Sequence, residues 1–252
     1  MVLRLLVLVL LFSGQIAIAQ GGTSSALERV KQMEQQLWAA SNQGVYQMTI
    51  VTPHWQRTLE IKAWMIRPEK TLIRILAPKK ERGVGSLRIR SEMWNYIPKI
   101  DRVIKIPPSM MLQPWMGSDF TNDDLVKESS LITDYEHSQF ASTSESGIAV
   151  VGIRAIPKPD APAVWGKLEF WLRASDNLPL RQLYYDERGR LVKQLSFDNI
   201  QLLGGRLIPT RWTMRSATKT DQHTVIELLS MQFDIAIDEK LFSMRRLRTP
   251  DW

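Results

Sequence analysis

From residue 45 onward the chain is a long succession of short runs with alternating apolar and polar side chains, punctuated by turn residues. The runs at 46–52 and 58–67 flank a Pro53-His54 turn and predict a hairpin. Along the second run Leu59, Ile61, Ala63 and Met65 fall on one face, and Trp64 and Ile66 on the other. Further runs follow at 71–77, 86–90, 93–97 and 102–106, then at 148–155, 167–173, 180–186, 191–200, 206–215 and 224–233. Glu187-Arg188-Gly189-Arg190 and Leu203-Gly204-Gly205-Arg206 have hairpin-turn composition. The pattern is mainly β (α+β) and points to a strongly curved antiparallel sheet forming an incomplete β-barrel. An integral outer-membrane barrel needs alternate lipid-facing apolar positions along strands of about ten residues. Several runs here are shorter, and Lys167, Glu169, Arg173, Gln182 and Asp186 put polar groups on the strand faces, so that class is excluded.

One segment breaks the pattern. Leu27, Val30, Met33, Leu37 and Trp38 recur at helical spacing, with Ser25 as N-cap, Glu28 completing a capping box, and Asn42 and Gly44 as the expected stop. Ahead of it, residues 1–19 read as a secretory signal peptide: Arg4, an apolar core from Leu5 to Phe12, and a small-x-small site at Ala17-Ile18-Ala19. The apolar run is short of the ~20 residues that span a bilayer. The expectation is an exported, periplasmic protein cleaved after Ala19, with residues 20–252 as a single domain. The chain has no cysteine, so a packed core must stabilise it without disulfides and no N-terminal cysteine can be acylated. The net charge is +7. Such basicity suits nucleic acid, anionic headgroups or an acidic partner, but export and the absence of a recognition motif argue against nucleic acid. Arg245, Arg246 and Arg248 read as a solvated tail.

Catalytic chemistry finds little footing. His54, His137 and His223 show no metal-ligand spacing, and no cofactor or metal is expected. No G-x-S-x-G elbow occurs. Asp119, Asp123 and Asp124 cluster, but Ser118-Asp119 and Thr121-Asn122-Asp123-Asp124 read better as capping chemistry for a short helix starting near Asp123.

The apolar residues are more informative. Met110, Met111 and Met116 lie among Leu112, Trp115 and Phe120 in a segment broken by Pro107, Pro108 and Pro114, which bar a continuous strand or helix. Methionine suits surfaces that accept varied apolar ligands. Such a loop either plugs the open end of the sheet or gates it. Trp94 and Tyr96 share one strand face; Leu87 and Ile89 share another, with Arg88 and Arg90 opposite. Together with Trp64, Ile104 and Ile106 they could form a broad apolar sheet surface, and acyl chains would gain roughly 0.8 kcal/mol per buried methylene there.

The order Gly85-Ser86-Leu87, Trp94-Asn95-Tyr96-Ile97-Pro98, Arg102, Ile106-Pro107-Pro108, Met116-Gly117-Ser118-Asp119-Phe120-Thr121 and Asp124-Leu125 resembles the signature of LolA-like outer-membrane lipoprotein-sorting proteins. The resemblance implies a non-enzymatic periplasmic carrier, with an N-terminal helix and short loop helices covering the hydrophobic cavity of an incomplete barrel. It implies acylated lipoprotein or lipid cargo, an inner-membrane transporter as partner, transient membrane contact and a monomer. It selects none of Arg74, Arg88, Arg90 and Arg102 as a cargo contact. The expected lipid-binding surface is Trp64, Leu87, Ile89, Trp94, Tyr96, Ile104, Met110, Met111, Trp115, Met116 and Phe120, with Arg102 and Asp119 holding the loop. Two other readings stand beside it: a periplasmic adaptor or sensor binding an envelope protein, and an envelope hydrolase using Asp119, Asp124 and a histidine.

Overall fold

Strand-period sequence becomes one sheet. A computed structural model describes residues 24–126, 131–141, 144 and 147–249; the signal peptide expected at 1–19 lies outside them. Helix α1 (Ala26–Trp38) opens the described chain, with the Glu28 amide donating to the Ser25 hydroxyl at 3.2 Å as the capping pattern requires. It stops at Ala39, earlier than expected, because Asn42 and Gly44 already belong to the first strand.

The first meander comprises β1 (Ser41–Val51), β2 (Gln56–Ile66), β3 (Lys70–Ala77), β4 (Gly85–Ile89), β5 (Glu92–Ile97) and β6 (Arg102–Ile106). A crossover carrying the short helices α2 (Asn122–Val126) and α3 (Leu131–Asp134) leads to a second meander. That meander contains β7 (Tyr135–Phe140), β8 (Val150–Pro157), β9 (Lys167–Arg173), β10 (Pro179–Tyr185), β11 (Leu191–Leu203), β12 (Arg206–Ser216) and β13 (His223–Phe233). Strand order in the sheet is β6-β5-β4-β3-β2-β1-β13-β12-β11-β10-β9-β8-β7, and every pairing is antiparallel. The two meanders are thus joined along β1 and β13, while β6 and β7 form two outer edges that do not pair with each other. The crossover runs from one edge to the other.

β1 alternates intermediate and buried residues without a break, the pattern of a strand with one face in the core. Its buried residues Tyr46, Met48 and Ile50 join Leu59, Ile61, Ala63, Ile73, Leu168, Leu195, Phe197 and Trp212 in a cluster that spans both meanders. Val30, Met33 and Leu37 of α1, with Trp115 and Phe120 of the crossover, complete it. This is the inner face. On the outer face a smaller cluster gathers Trp64, Leu72, Leu87 and Tyr96 beneath Phe242 and Leu247.

The outer cluster is closed by a helix that the composition of the arginine-rich end concealed. The segment expected as a solvated tail forms α4 (Met244–Arg248), with Leu247 fully buried and Ser243 capping its start. Its three arginines remain exposed. Arg74, on the outer face of β3 and only 1% exposed, fixes α4 in place. It donates to the carbonyls of Leu247 at 2.7 Å, Arg246 at 2.7 Å and Gly83 at 2.9 Å. Burial depresses its pKa to about 10, so the guanidinium is still charged at neutral pH. Gly85 makes room for it, since a Cβ there would stand 2.6 Å from the Arg74 Nη1.

β7 was not expected. Its sequence, Tyr-Glu-His-Ser-Gln-Phe, lacks a run of β-branched residues, and as an edge strand it needs only one hydrogen-bonded neighbour, β8.

Arg74→Met should lower the unfolding free energy by about 2–4 kcal/mol, because the α4 carbonyls lose charge-assisted donors. Urea titration followed by far-UV circular dichroism measures this; an unchanged midpoint would show that α4 does not depend on Arg74.

Candidate functional site

The crossover is a hydrogen-bonded scaffold. The Trp115 and Phe120 main chains are joined by an N–H···O bond of 2.7 Å, and Pro114 and Thr121 form an isolated bridge. Within this loop Gly117 has φ +74°, a left-handed conformation that glycine adopts without steric cost. The Ser118 hydroxyl donates to the Trp115 carbonyl at 2.7 Å. Asp119 ties the loop to β13: its carboxylate accepts from Gln222 at 2.8 Å and Thr224 at 2.7 Å, and its amide donates to the Thr224 hydroxyl at 2.9 Å. Arg57 donates to the Met116 carbonyl. Thr121 and Asp124 cap α2 reciprocally, the Thr121 amide reaching the Asp124 carboxylate at 2.6 Å and the Asp124 amide the Thr121 hydroxyl at 3.3 Å.

This scaffold aims Trp115 inward. Its indole N–H donates to the Ser86 hydroxyl at 3.0 Å, and Ser86 donates in turn to Asn95 at 2.7 Å. Trp115 is 3% exposed, and together with Phe120 it roofs a cavity of about 210 Å³ on the inner face of the sheet. Met48, Ile61, Ala63 and Ile73 form the floor from the first meander, and Leu168, Leu195, Phe197 and Trp212 from the second. Met33, Leu37 and Trp38 of α1 close one side, with Leu125 and Leu131 of the crossover beside them. Trp212 meets Trp38 and Phe197 edge-on at 5.2 and 5.9 Å between ring centroids, packing that fixes the wall. The volume exceeds the ~150 Å³ of an engineered apolar cavity that takes up benzene.

Few polar groups reach this wall. Glu34 of α1 accepts from Arg67 at 2.5 Å, with the carboxylate almost wholly buried. Desolvation raises its pKa above the usual carboxylate range and outweighs the opposing pull of Arg67. Asp124 pairs with Lys193 at 2.5 Å, the side chains being 10% and 5% exposed. Burial likewise raises the Tyr135 hydroxyl pKa. Among the described residues no group of three or more His, Cys, Asp or Glu could hold a metal ion.

The sequence-derived surface divides between the two faces. Trp115 and Phe120 line the cavity, and Met111 and Met116 pack against its core. Trp64, Leu87 and Tyr96 are instead buried in the outer cluster, with Ile89 and Trp94 against it. Period two explains this correction: Trp64 alternates with Ala63 and Met65, and Leu87 pairs with Trp94 and with Leu72, all on the outer face. Ile104 and Met110 are exposed, at 43% and 45%. Asp119 makes the hydrogen bonds to Gln222 and Thr224 given above, whereas Arg102 is exposed at the start of β6 and makes no side-chain hydrogen bond or ion pair with a described residue. Of the other three arginines, Arg88 lies on the inner face of β4 and donates to Pro68, Arg90 and the cavity-lining Thr71, Arg90 pairs with Glu69, and Arg74 holds α4 on the outer face. Sequence reasoning missed Glu34, Lys193, Trp165, Tyr184 and Trp212. Lys193 carried a readable signal, since it stands two and four residues before Leu195 and Phe197 on the same strand face.

A family model described only as "uncharacterized protein" matches residues 67–249. Among curated proteins none matches this chain. A DUF1329 family protein from Desulfovibrio piger superposes with a TM-score of 0.80 at 22% identity, covering 88% of this chain and 97% of its own. A LolA superfamily protein from Nitrosomonas europaea gives 0.76 at 18% identity, with coverages of 89% and 100%. A domain from Vibrio parahaemolyticus named for outer membrane lipoprotein sorting also gives 0.76, at 21% identity, with coverages of 89% and 98%. At these identities the likeness is one of fold.

The folded state holds the Glu34 proton more tightly than the unfolded chain, so this group favours folding below the ordinary glutamate pKa. That contribution is lost as the pH rises through the elevated folded value. Glu34→Gln should therefore gain stability relative to the wild type as the pH is raised from about 4 to about 7. Thermal unfolding across that range measures the difference; a relative loss instead would mean that Arg67 outweighs burial.

Proposed function

This chain belongs to the DUF1329-like family and has the LolA-like outer-membrane lipoprotein-sorting fold; on that premise we propose that it carries acyl chains through the periplasm. The cargo is an acylated lipoprotein or a lipid, taken up from the inner membrane and passed to the outer one. One observation carries the reading: an apolar cavity on the inner face of an unclosed sheet, roofed by a segment anchored through discrete hydrogen bonds.

The energetics suit reversible loading. At about 24 cal/mol per Å³, a cavity of about 210 Å³ left empty forgoes about 5 kcal/mol relative to a filled core. Each buried methylene of a ligand returns about 0.8 kcal/mol. Opening requires the crossover to lift, breaking the Trp115–Ser86 and Arg57–Met116 bonds, the Asp119 contacts with β13 and the Asp124–Lys193 ion pair. Most of the groups released on the crossover side are polar and hydrate on opening, while Trp115 and Phe120 leave the core, so docking to a membrane or a transporter would have to supply the difference. No covalent step is involved; the carrier binds and exchanges.

The name of the Vibrio domain points to lipoproteins as cargo, and an export signal at residues 1–19 would place this chain in the compartment where such cargo travels. Among the described residues no helix is long and apolar enough to cross a membrane, as the role requires of contact that is transient. An inner-membrane transporter is the proposed donor, and the carrier acts as a monomer.

Filling the cavity should abolish loading. Ala63 lies on its floor at the centre of β2, so Ala63→Phe should stay cooperatively folded and bind a fluorescent acyl probe at least about tenfold more weakly. Fluorescence titration decides: unchanged affinity in the folded variant would place acyl binding elsewhere or nowhere.

A further inference from the structure

Lys193 stands where an apolar residue would be expected. It shares the inner face of β11 with Leu195 and Phe197, which line the cavity. Its ammonium lies 4.8 Å from the ring centroid of Trp165 and 4.7 Å from that of Tyr184, both cavity-lining residues. Its anionic partner is Asp124, 2.5 Å away on α2. A lysine so placed loses nearly all its hydration, and only a counter-anion in contact offsets that loss; aromatic faces contribute less.

The two partners are held differently. Lys193 belongs to a central strand paired on both sides, with β10 and β12. Asp124 belongs to the crossover, the segment that must lift for a chain to enter. Its carboxylate also accepts from the Thr121 amide at 2.6 Å and the Thr121 hydroxyl at 2.9 Å, and these partners travel with it. When the crossover lifts, Asp124 keeps two donors and gains water, whereas Lys193 is left facing an apolar cavity. A neutral ligand leaves that ammonium uncompensated. A ligand with its own anion does not.

The geometry points to a cavity selective for amphiphiles with an anionic headgroup, carboxylate or phosphate, whose oxygen replaces Asp124 on Lys193 while the tail lies against Leu195, Phe197 and Trp212. This inference rests on the acyl-carrier reading and narrows its cargo. Asp124 then acts as a tethered mimic of the headgroup, occupying the subsite until cargo displaces it. Lysine suits either anion, because its three donors lie on a compact charge without the planar fork that favours bidentate carboxylates.

Calorimetric titration of the full chain, freed of bound lipid, with laurate, dodecyl phosphate and dodecanol separates the possibilities at one tail length. At least one anion should bind about tenfold or more tighter than dodecanol, and the tighter of the two identifies the headgroup source. Lys193→Met should bring the anion-to-alcohol affinity ratio close to one. Asp124→Asn should raise affinity for the anion, because the competing carboxylate is gone; this variant carries the test if Lys193→Met fails to fold. Equal affinity of the wild type for all three ligands would overturn the inference and leave the carrier reading standing. Weaker anion binding in Asp124→Asn would overturn it too, reducing the pair to a structural clasp. If none of the three binds, the carrier reading falls, and the inference with it.

Discussion

The edges of the sheet do not meet, and most of the molecule follows from that constraint. Thirteen antiparallel strands curve around one apolar face, but β6 and β7 remain unpaired with each other. A closed barrel would satisfy both edges and bury its interior. Here the gap must be covered by something else, and the chain supplies the one segment whose ends are already in position, the crossover from β6 to β7. Because it covers without joining a ladder, its attachment is side-chain hydrogen bonds, the Asp124–Lys193 ion pair and the burial of Trp115 and Phe120. The sheet on either side is held by continuous backbone pairing. Topology thus holds the sheet by continuous ladders and the crossover by side-chain contacts.

Much of this was legible in the sequence. Twelve of the thirteen strands follow from period two and turn residues, and the one that did not, β7, is a polar edge strand with no inner-face run to announce it. The helix start at Ser25 was readable because a cap is a local hydrogen bond. Its end was not, because Asn42 and Gly44 are drawn into β1 by pairing with β13 and β2, a tertiary effect. The site was half legible. Trp115 and Phe120 were identified from composition, but sheet aromatics such as Trp94 and Tyr96 were grouped with them although their strand parity faces the outer cluster. What no sequence pattern disclosed was that a second apolar layer exists there, under α4.

The residues carrying the family resemblance acquire a common physical meaning. Gly85 clears space for Arg74, and Ser86 and Asn95 receive the Trp115 indole. Asp119 and Thr121 anchor the loop and cap α2. These groups position the roof, and few of them face the cavity. The cavity-lining residues are Leu, Ile, Met, Phe and Trp scattered along both meanders, any of which could be exchanged for another apolar residue at modest cost. A signature can therefore mark the roofed-sheet architecture while leaving ligand choice to the lining, and in that lining Glu34, Asp123 and Asp124 are the charged exceptions, with Lys193 paired to Asp124 behind it.

The central claim is that the cavity holds acyl chains during transport. Native mass spectrometry of the protein purified from a periplasmic extract, followed by lipid extraction, tests it most directly. Our account predicts a mass increment matching an acylated peptide or a lipid, released on unfolding and restored by adding the extracted material to the stripped protein. A single ligand-free mass, persisting after incubation with acyl ligands, would contradict it.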